Sequence, residues 1–224
     1  SASDGGSFAG NVAMAGTLGV TGVSTLGANL NVTGNVVSND GSNNARFQFD
    51  NDNQILIQND TAMSFYVNAS ASLKIDATGA VTMPNQPSFL VNHSATQSNI
   101  SNGGGHVAVA FDTEIFDQNA DFASNTFTAP VTGRYQLNLL LRVNALDSAA
   151  NYYQVFIRTS NRDYYATHDP NYTADLNYHQ FSFGVLADMD ANDTVTISIV
   201  QSGGTSQTDV MGGGDTSFSG YLVA

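Results

Sequence analysis

The chain has 224 residues, 42% of them hydrophobic and only 11% charged, with 21 glycines and no cysteine. Six Lys and Arg stand against nineteen Asp and Glu, so no basic cluster exists to neutralise phosphates, and the composition argues against nucleic-acid binding. The missing cysteines exclude a disulfide scaffold and a thiolate metal site, and no apolar run approaches the roughly 18 residues that membrane insertion by a helix requires. Runs at helical spacing are absent, and Asn, Ser, Thr and Gly are plentiful, which predicts an all-β protein with many turns. The start shows no signal peptide and no initial Met, and reads as a trimmed or partial chain.

From Gly10 the chain repeats every six residues. Gly10, Gly16, Gly22, Ala28 and Gly34 take the first position, Val12, Leu18, Ser24, Leu30 and Val36 the third, and Met14, Val20, Leu26, Val32 and then Ser38 the fifth. Fixed-period self-similarity of this kind signals a stacked or wound β architecture. Five hexapeptides make too few coils for a single-chain β-helix, and one thin apolar stripe cannot bury itself. The economical solution is several identical chains winding together; the alternative is a flexible Gly/Thr/Asn-rich leader. GTLGVTG followed by STLGANLNVTGNV resembles the shaft repeats of bacteriophage tail fibres and related trimeric adhesins. Residues 1–38 are therefore expected to form an intertwined trimeric β shaft.

Residues 39–84 hold five short alternating runs: Phe47 and Phe49; Ile55 and Ile57; Met63, Phe65 and Val67; Leu73 and Ile75; Val81 and Met83. The breaks between them (DNDN, NDT, NAS, DATG) are good turn chemistry. This predicts a meander with one apolar face, too narrow to cover that face alone, forming a collar that continues the shaft. MPNQP at 83–87 carries two of the four prolines and predicts a semi-rigid neck.

Residues 85–224 read as a head of many short strands. The longest alternates Tyr135, Leu137, Leu139, Leu141 and Val143 against Gln136, Asn138, Arg142 and Asn144, which fixes a core face with period two. Runs of strand character recur at 106–111, 126–128, 152–158, 178–186, 194–201 and 217–223, a spacing that suggests a sandwich or jelly roll. Four motifs stand in order: Phe111-Asp112 ending an early strand; Phe127, Thr128, Pro130, Gly133 and Tyr135 as F-T-x-P-x-x-G-x-Y; Leu186, Asp193 and Val195; and Ser217, Phe218, Ser219, Gly220 and Leu222 at the close. Together they are similar to the globular head of complement C1q, within the tumour-necrosis-factor-like group. Asn192-Asp193 departs from the family's usual Gly-Asp. The resemblance implies a ten-stranded jelly roll that assembles as a homotrimer, with both ends of the head at its base. It also implies structural roles for Phe127, Pro130, Gly133, Tyr135, Phe218 and Gly220, in turns, core or trimer seam.

Chemistry-bearing patterns are few. The four histidines, His93, His106, His168 and His179, lack the spacing of a zinc site and read as surface or loop residues; no G-x-S-x-G elbow is present, and no enzyme is expected. Six of the nine tyrosines fall between Tyr152 and Tyr178. Residues 159–177 show no strand pattern and read as loops. Tyr164, Tyr165 and Tyr172, with Arg162, His168 and Asp169, are the candidate receptor-binding set, because flat Tyr faces beside polar groups suit sugar or protein contact. Tyr152, Tyr153 and Tyr178 read equally as strand residues packing in a trimer interface. Asp112, Glu114, Asp117, Asn119 and Asp121 read as a solvated acidic loop, with Asp117, Asn119 and Asp121 the candidate Ca²⁺ ligands and no other cofactor expected.

The sequence thus predicts a homotrimeric virion fibre of phage type. Its N-terminal end would join a baseplate, tail or capsid protein, and its head would meet a host-surface receptor. A structural fibre or decoration protein, and a bacterial surface adhesin, are the alternatives.

Overall fold

The computed structural model describes residues 45–48, 52–58 and 61–224, all within one compact unit, Asn39–Ala224. The hexapeptide repeats at 10–38, and with them the expected shaft, lie outside the described residues, as does Phe49.

Five short strands come first: β1 (Ala45–Gln48), β2 (Gln54–Gln58), β3 (Ala62–Val67), β4 (Ser70–Asp76) and β5 (Val81–Thr82), joined as a simple antiparallel meander. Its turns are built by the residues that mark them in the sequence. Asp76 Oδ1 accepts hydrogen bonds from the Thr78 N–H and hydroxyl and from the Ala80 N–H, while Gly79 takes φ +85°. Such a turn holds its own backbone and needs one residue free to adopt positive φ. The neck at 83–87 is tied to the head by side chains: Gln118 Nε2 donates to Met83 O and Gln86 O, and Gln86 Nε2 donates to Leu222 O.

The head holds β6 (Ser88–His93), β7 (Val107–Ala108), β8 (Thr113–Gln118), β9 (Phe122–Ala123), β10 (Thr126–Thr128), β11 (Gly133–Asn144), β12 (Tyr152–Thr159), β13 (Asp163–His168), β14 (His179–Met189), β15 (Thr194–Ser202), β16 (Asp209–Val210) and β17 (Gly213–Leu222). One sheet runs β14-β11-β17-β6-β8 with β16 attached to β11; the other runs β13-β12-β15-β10-β9 with β7 attached to β15. The result is a two-layer, jelly-roll-like sandwich. Five strands lie on each sheet path, and β7 and β16 bring the described total to twelve rather than ten.

β11 sets the interior. Tyr135, Leu137, Leu139, Leu141 and Val143 are all buried, facing Phe127, Tyr153, Val155, Ile157, Val195, Ile197 and Ile199 of the other sheet. Each fully buried side chain of this size contributes about 1.5–3 kcal/mol. Phe89 stacks on Phe127 with ring centres 4.7 Å apart and meets Phe218 edge-on at 5.1 Å. A Cβ on Gly220 would lie 2.8 Å from both Leu137 Cδ2 and Phe89 Cε1, so glycine is what lets β17 close onto this cluster. Tyr135 donates its hydroxyl to Val131 O at 2.7 Å, pinning the exposed bend that Pro130 begins and Gly133 ends, and burial pushes its pKa up.

Three local expectations change. Glu114 and Asp117 stand on strand β8, paired with β6, and not in a loop; a bulge at Ile115, opposite the Leu90–Val91 step, interrupts the alternation of β8 that would have revealed the pairing. Residues 163–168 form edge strand β13 rather than loop, paired with β12 from Arg158↔Asp163 to Tyr153↔His168. In DYYATH two adjacent tyrosines mask the period of two. His93 is neither a surface nor a loop residue: it sits on β6 at 4% exposure, and neither ring nitrogen has a hydrogen-bond partner.

Candidate functional site

The β11–β14 ladder runs from Gly133↔Met189 to Val143↔His179, about 34 Å at the rise of an antiparallel strand. One end is the base: Ser88, where the chain enters the head, pairs with Tyr221, and Leu222 pairs with Tyr135. The other end, the apex, carries the candidate site.

Four separate stretches meet at the apex. Arg142 on β11 ion-pairs with Asp215 on β17, and its guanidinium carbon lies 4.9 Å from the centre of the Tyr178 ring. With His179 and Gln180 these residues line a cavity of about 320 Å³. Beside it the His168 and His179 rings lie 4.4 Å apart, Phe181 meets both edge-on, and the Tyr172 hydroxyl shares a 3.2 Å hydrogen bond with His168 Nε2. Burial first, and then the charge of His168, push the pKa of His179 down. Tyr178 is 70% exposed.

The mount is firm because Asp175 ties down the loop between β13 and β14. Its carboxylate accepts hydrogen bonds from the Ser148 hydroxyl and N–H and from Gln207 Nε2, at 2.7–2.8 Å, which hold its pKa below the ordinary value. Leu146 and Leu176 add a bridge through paired backbone hydrogen bonds. Aromatic faces, a cation partly stacked on one of them, and a carboxylate form a surface suited to sugar hydroxyls or to polar-aromatic protein contacts.

The expected receptor set is not one cluster. His168 and Tyr172 belong to the apex, and Asp169 is exposed beside them. Arg162 lies at the base, where it bonds Asp188 at 2.8 Å next to a cavity of about 300 Å³ lined in part by Asn161 and Ala224. Tyr164 turns inward against the core, and burial raises its pKa. Tyr165 points the other way, onto the outer face of its sheet, where its ring packs on Phe156 at 4.9 Å and His106 flanks Phe156 at 4.5 Å. Sequence reasoning missed Arg142, His179 and Asp215 as site residues, and no local signal marks them, since the fold alone brings them together.

The candidate calcium ligands form a turn that bonds to itself. Asp117 accepts the N–H groups of Asp121 at 3.1 Å and Phe122 at 2.9 Å through its two oxygens, and Asn119 Nδ2 donates to Asn85 O. Burial, then the nearby Asp117, raise the pKa of Asp121. Among the described residues no group of three or more His, Cys, Asp or Glu is placed to hold a metal ion.

A family model described as the C1q domain matches residues 88–223, the head from its first strand almost to its last residue. The chain belongs to the C1q domain family. Among solved structures it is similar to the globular domain of zebrafish complement 1qA protein, at 16% identity and a TM-score of 0.46, over 62% of this chain and 98% of that one. It is also similar to murine APRIL, at 8% identity and a TM-score of 0.44, over 62% and 99%. No curated protein matches the chain. C1q-like domains are typically binding or structural modules without enzymatic activity, and they commonly form homotrimers. The departure at Asn192 has a physical reason in this C1q domain: the residue adopts φ +74°, where Gly is the default and Asn is among the few other residues that fit. Asp193 then accepts bonds from Ser160, Asn161 and the Asp190 N–H, which hold its carboxyl below the usual range.

Proposed function

We propose that the chain is a homotrimeric virion fibre protein of phage type whose C1q-like head attaches to a host-surface receptor, a glycan or a surface protein, through the apex. The observation behind this is the meeting of Arg142, His168, Tyr172, Tyr178, His179 and Asp215 at the end of the head opposite the point where the chain enters it. Three equal sites facing one way would bind by avidity, so a weak single contact suffices. The hexapeptide repeats support the fibre context, with the N-terminal end meeting a baseplate, tail or capsid protein. The test is binding of the full chain to host cells or displayed glycans. Tyr172→Ala with Tyr178→Ala should abolish binding while the assembly keeps its mass; unchanged binding by that variant overturns the apex assignment.

A second reading, a structural fibre whose head mainly folds and locks the trimer, is favoured by the outer face of the β11 sheet. Three cross-strand rows there, through Gln136, Asn138 and Leu140, hold no charged residue, and they include Leu186, Tyr221, Leu90 and Phe116. An uncharged face with small and apolar side chains suits association with like faces. A head that trimerises and binds no surface selects this reading.

A further inference from the structure

The meander at 45–82 has a face that the single chain leaves open. Cross-strand partners in an antiparallel sheet share a face, so the register assigns it directly. One row is Phe47↔Ile55↔Phe65↔Leu73 and the next is Ile57↔Met63↔Ile75↔Val81. All eight residues are apolar. Arg46, Lys74 and Asp76 lie on the opposite face, where the meander's buried residues Leu56, Ala62 and Ser64 also stand. Phe47, Ile57, Phe65 and Val81 are exposed, and no residue of the eight belongs to the head's core or packs against it.

A sheet with one apolar face is stable when that face is buried against another layer. We propose that the layer is the same face of the other copies in the trimer, so that 45–82 is a second association surface, separate from the head. This rests on the trimeric reading above. The occupant follows from three observations. The face is uncharged across both rows, so like faces meet without repulsion. It joins the head through only the five residues at 83–87, which Gln118 clamps at Met83 O and Gln86 O. Heads gathered in a trimer therefore hold three such faces at the millimolar effective concentrations of short tethers, far above that of any free partner. The residues lie outside the C1q domain match at 88–223, so this surface is an addition to the head and not part of it.

The absence of cysteine makes the test clean. In the full chain, Phe65→Cys and, separately, Ile57→Cys are treated with a bis-maleimide spanning about 10 Å, the spacing of sheets packed face to face. Lys74→Cys on the opposite face is the control. Expected is interchain product for both apolar-face variants, at least about tenfold above the control and unchanged on dilution, as tethered faces require. If the native mass is trimeric and neither variant cross-links between chains, the inference fails while the trimeric reading stands; residues 1–44 or another partner then cover the face. If the native mass is monomeric, the trimeric reading itself fails.

Discussion

The head and the meander are made of the same material, short antiparallel strands with one apolar face each, and they dispose of that face differently. In the head, Phe89, Leu139 and Phe218 of one sheet meet Phe127, Tyr153 and Ile197 of the other, and all six are buried within one chain. In the meander Phe47, Phe65 and Val81 remain exposed, and among the described residues no second sheet covers their face. The difference is one of layer number and not of strand quality. A domain that supplies its own second layer folds alone, while a single layer depends on what it meets.

The largest expected effect tests that contrast. Phe218→Ala removes a ring packed against Phe89, Phe111 and Phe122 and should cost the head about 3–5 kcal/mol in denaturant unfolding. Phe65→Ala should leave the head's own transition close to wild type. Equal losses in the head's transition would break the comparison, because the two layers would then share one core.

A smaller effect is expected at the foot of the apex loops. The Tyr153 hydroxyl bridges the Asp147 N–H at 3.0 Å and Thr208 Oγ1 at 2.7 Å, all buried. Tyr153→Phe strands the buried Asp147 N–H and leaves the Thr208 hydroxyl only its bond to Ala145 O, and should cost about 1–3 kcal/mol, with faster hydrogen exchange at the Asp147 amide. Full protection of that amide in the variant would show that the loops are held by other means.

The smallest effect is in pH. His179 has its pKa depressed in the fold, so the unfolded chain binds more protons once pH falls below 6.5, the ordinary value. Stability at the apex should therefore decline from about that pH through the depressed folded value, and His179→Gln should flatten the profile. The carboxylate of Asp175 acts lower: its contribution is present above 3.8 and is lost as pH falls through its depressed value. A thermal midpoint in wild type that is flat between pH 7 and pH 5 would contradict the histidine assignment.

How much of this was legible depended on whether the signal was local. β11 reads from its alternation alone, because one face is buried and the other is not. The meander's turn at Asp76 reads from DATG because the carboxylate and Gly79 make the turn themselves. The apex reads only in part: His168 and Tyr172 stand out in the sequence, whereas Arg142, Tyr178 and Asp215 come from distant stretches that the fold brings into side-chain contact. Tyr164 and Tyr165 look equivalent in the sequence, yet adjacent positions on a strand face opposite ways, and one of them packs on the core while the other faces solvent.

The central claim is that one chain is an incomplete unit. It is tested most directly by the mass of the intact full-length assembly in solution at low micromolar concentration. The account predicts a single species of three 23.5 kDa chains that persists on dilution. A stable species of one 23.5 kDa chain would contradict it.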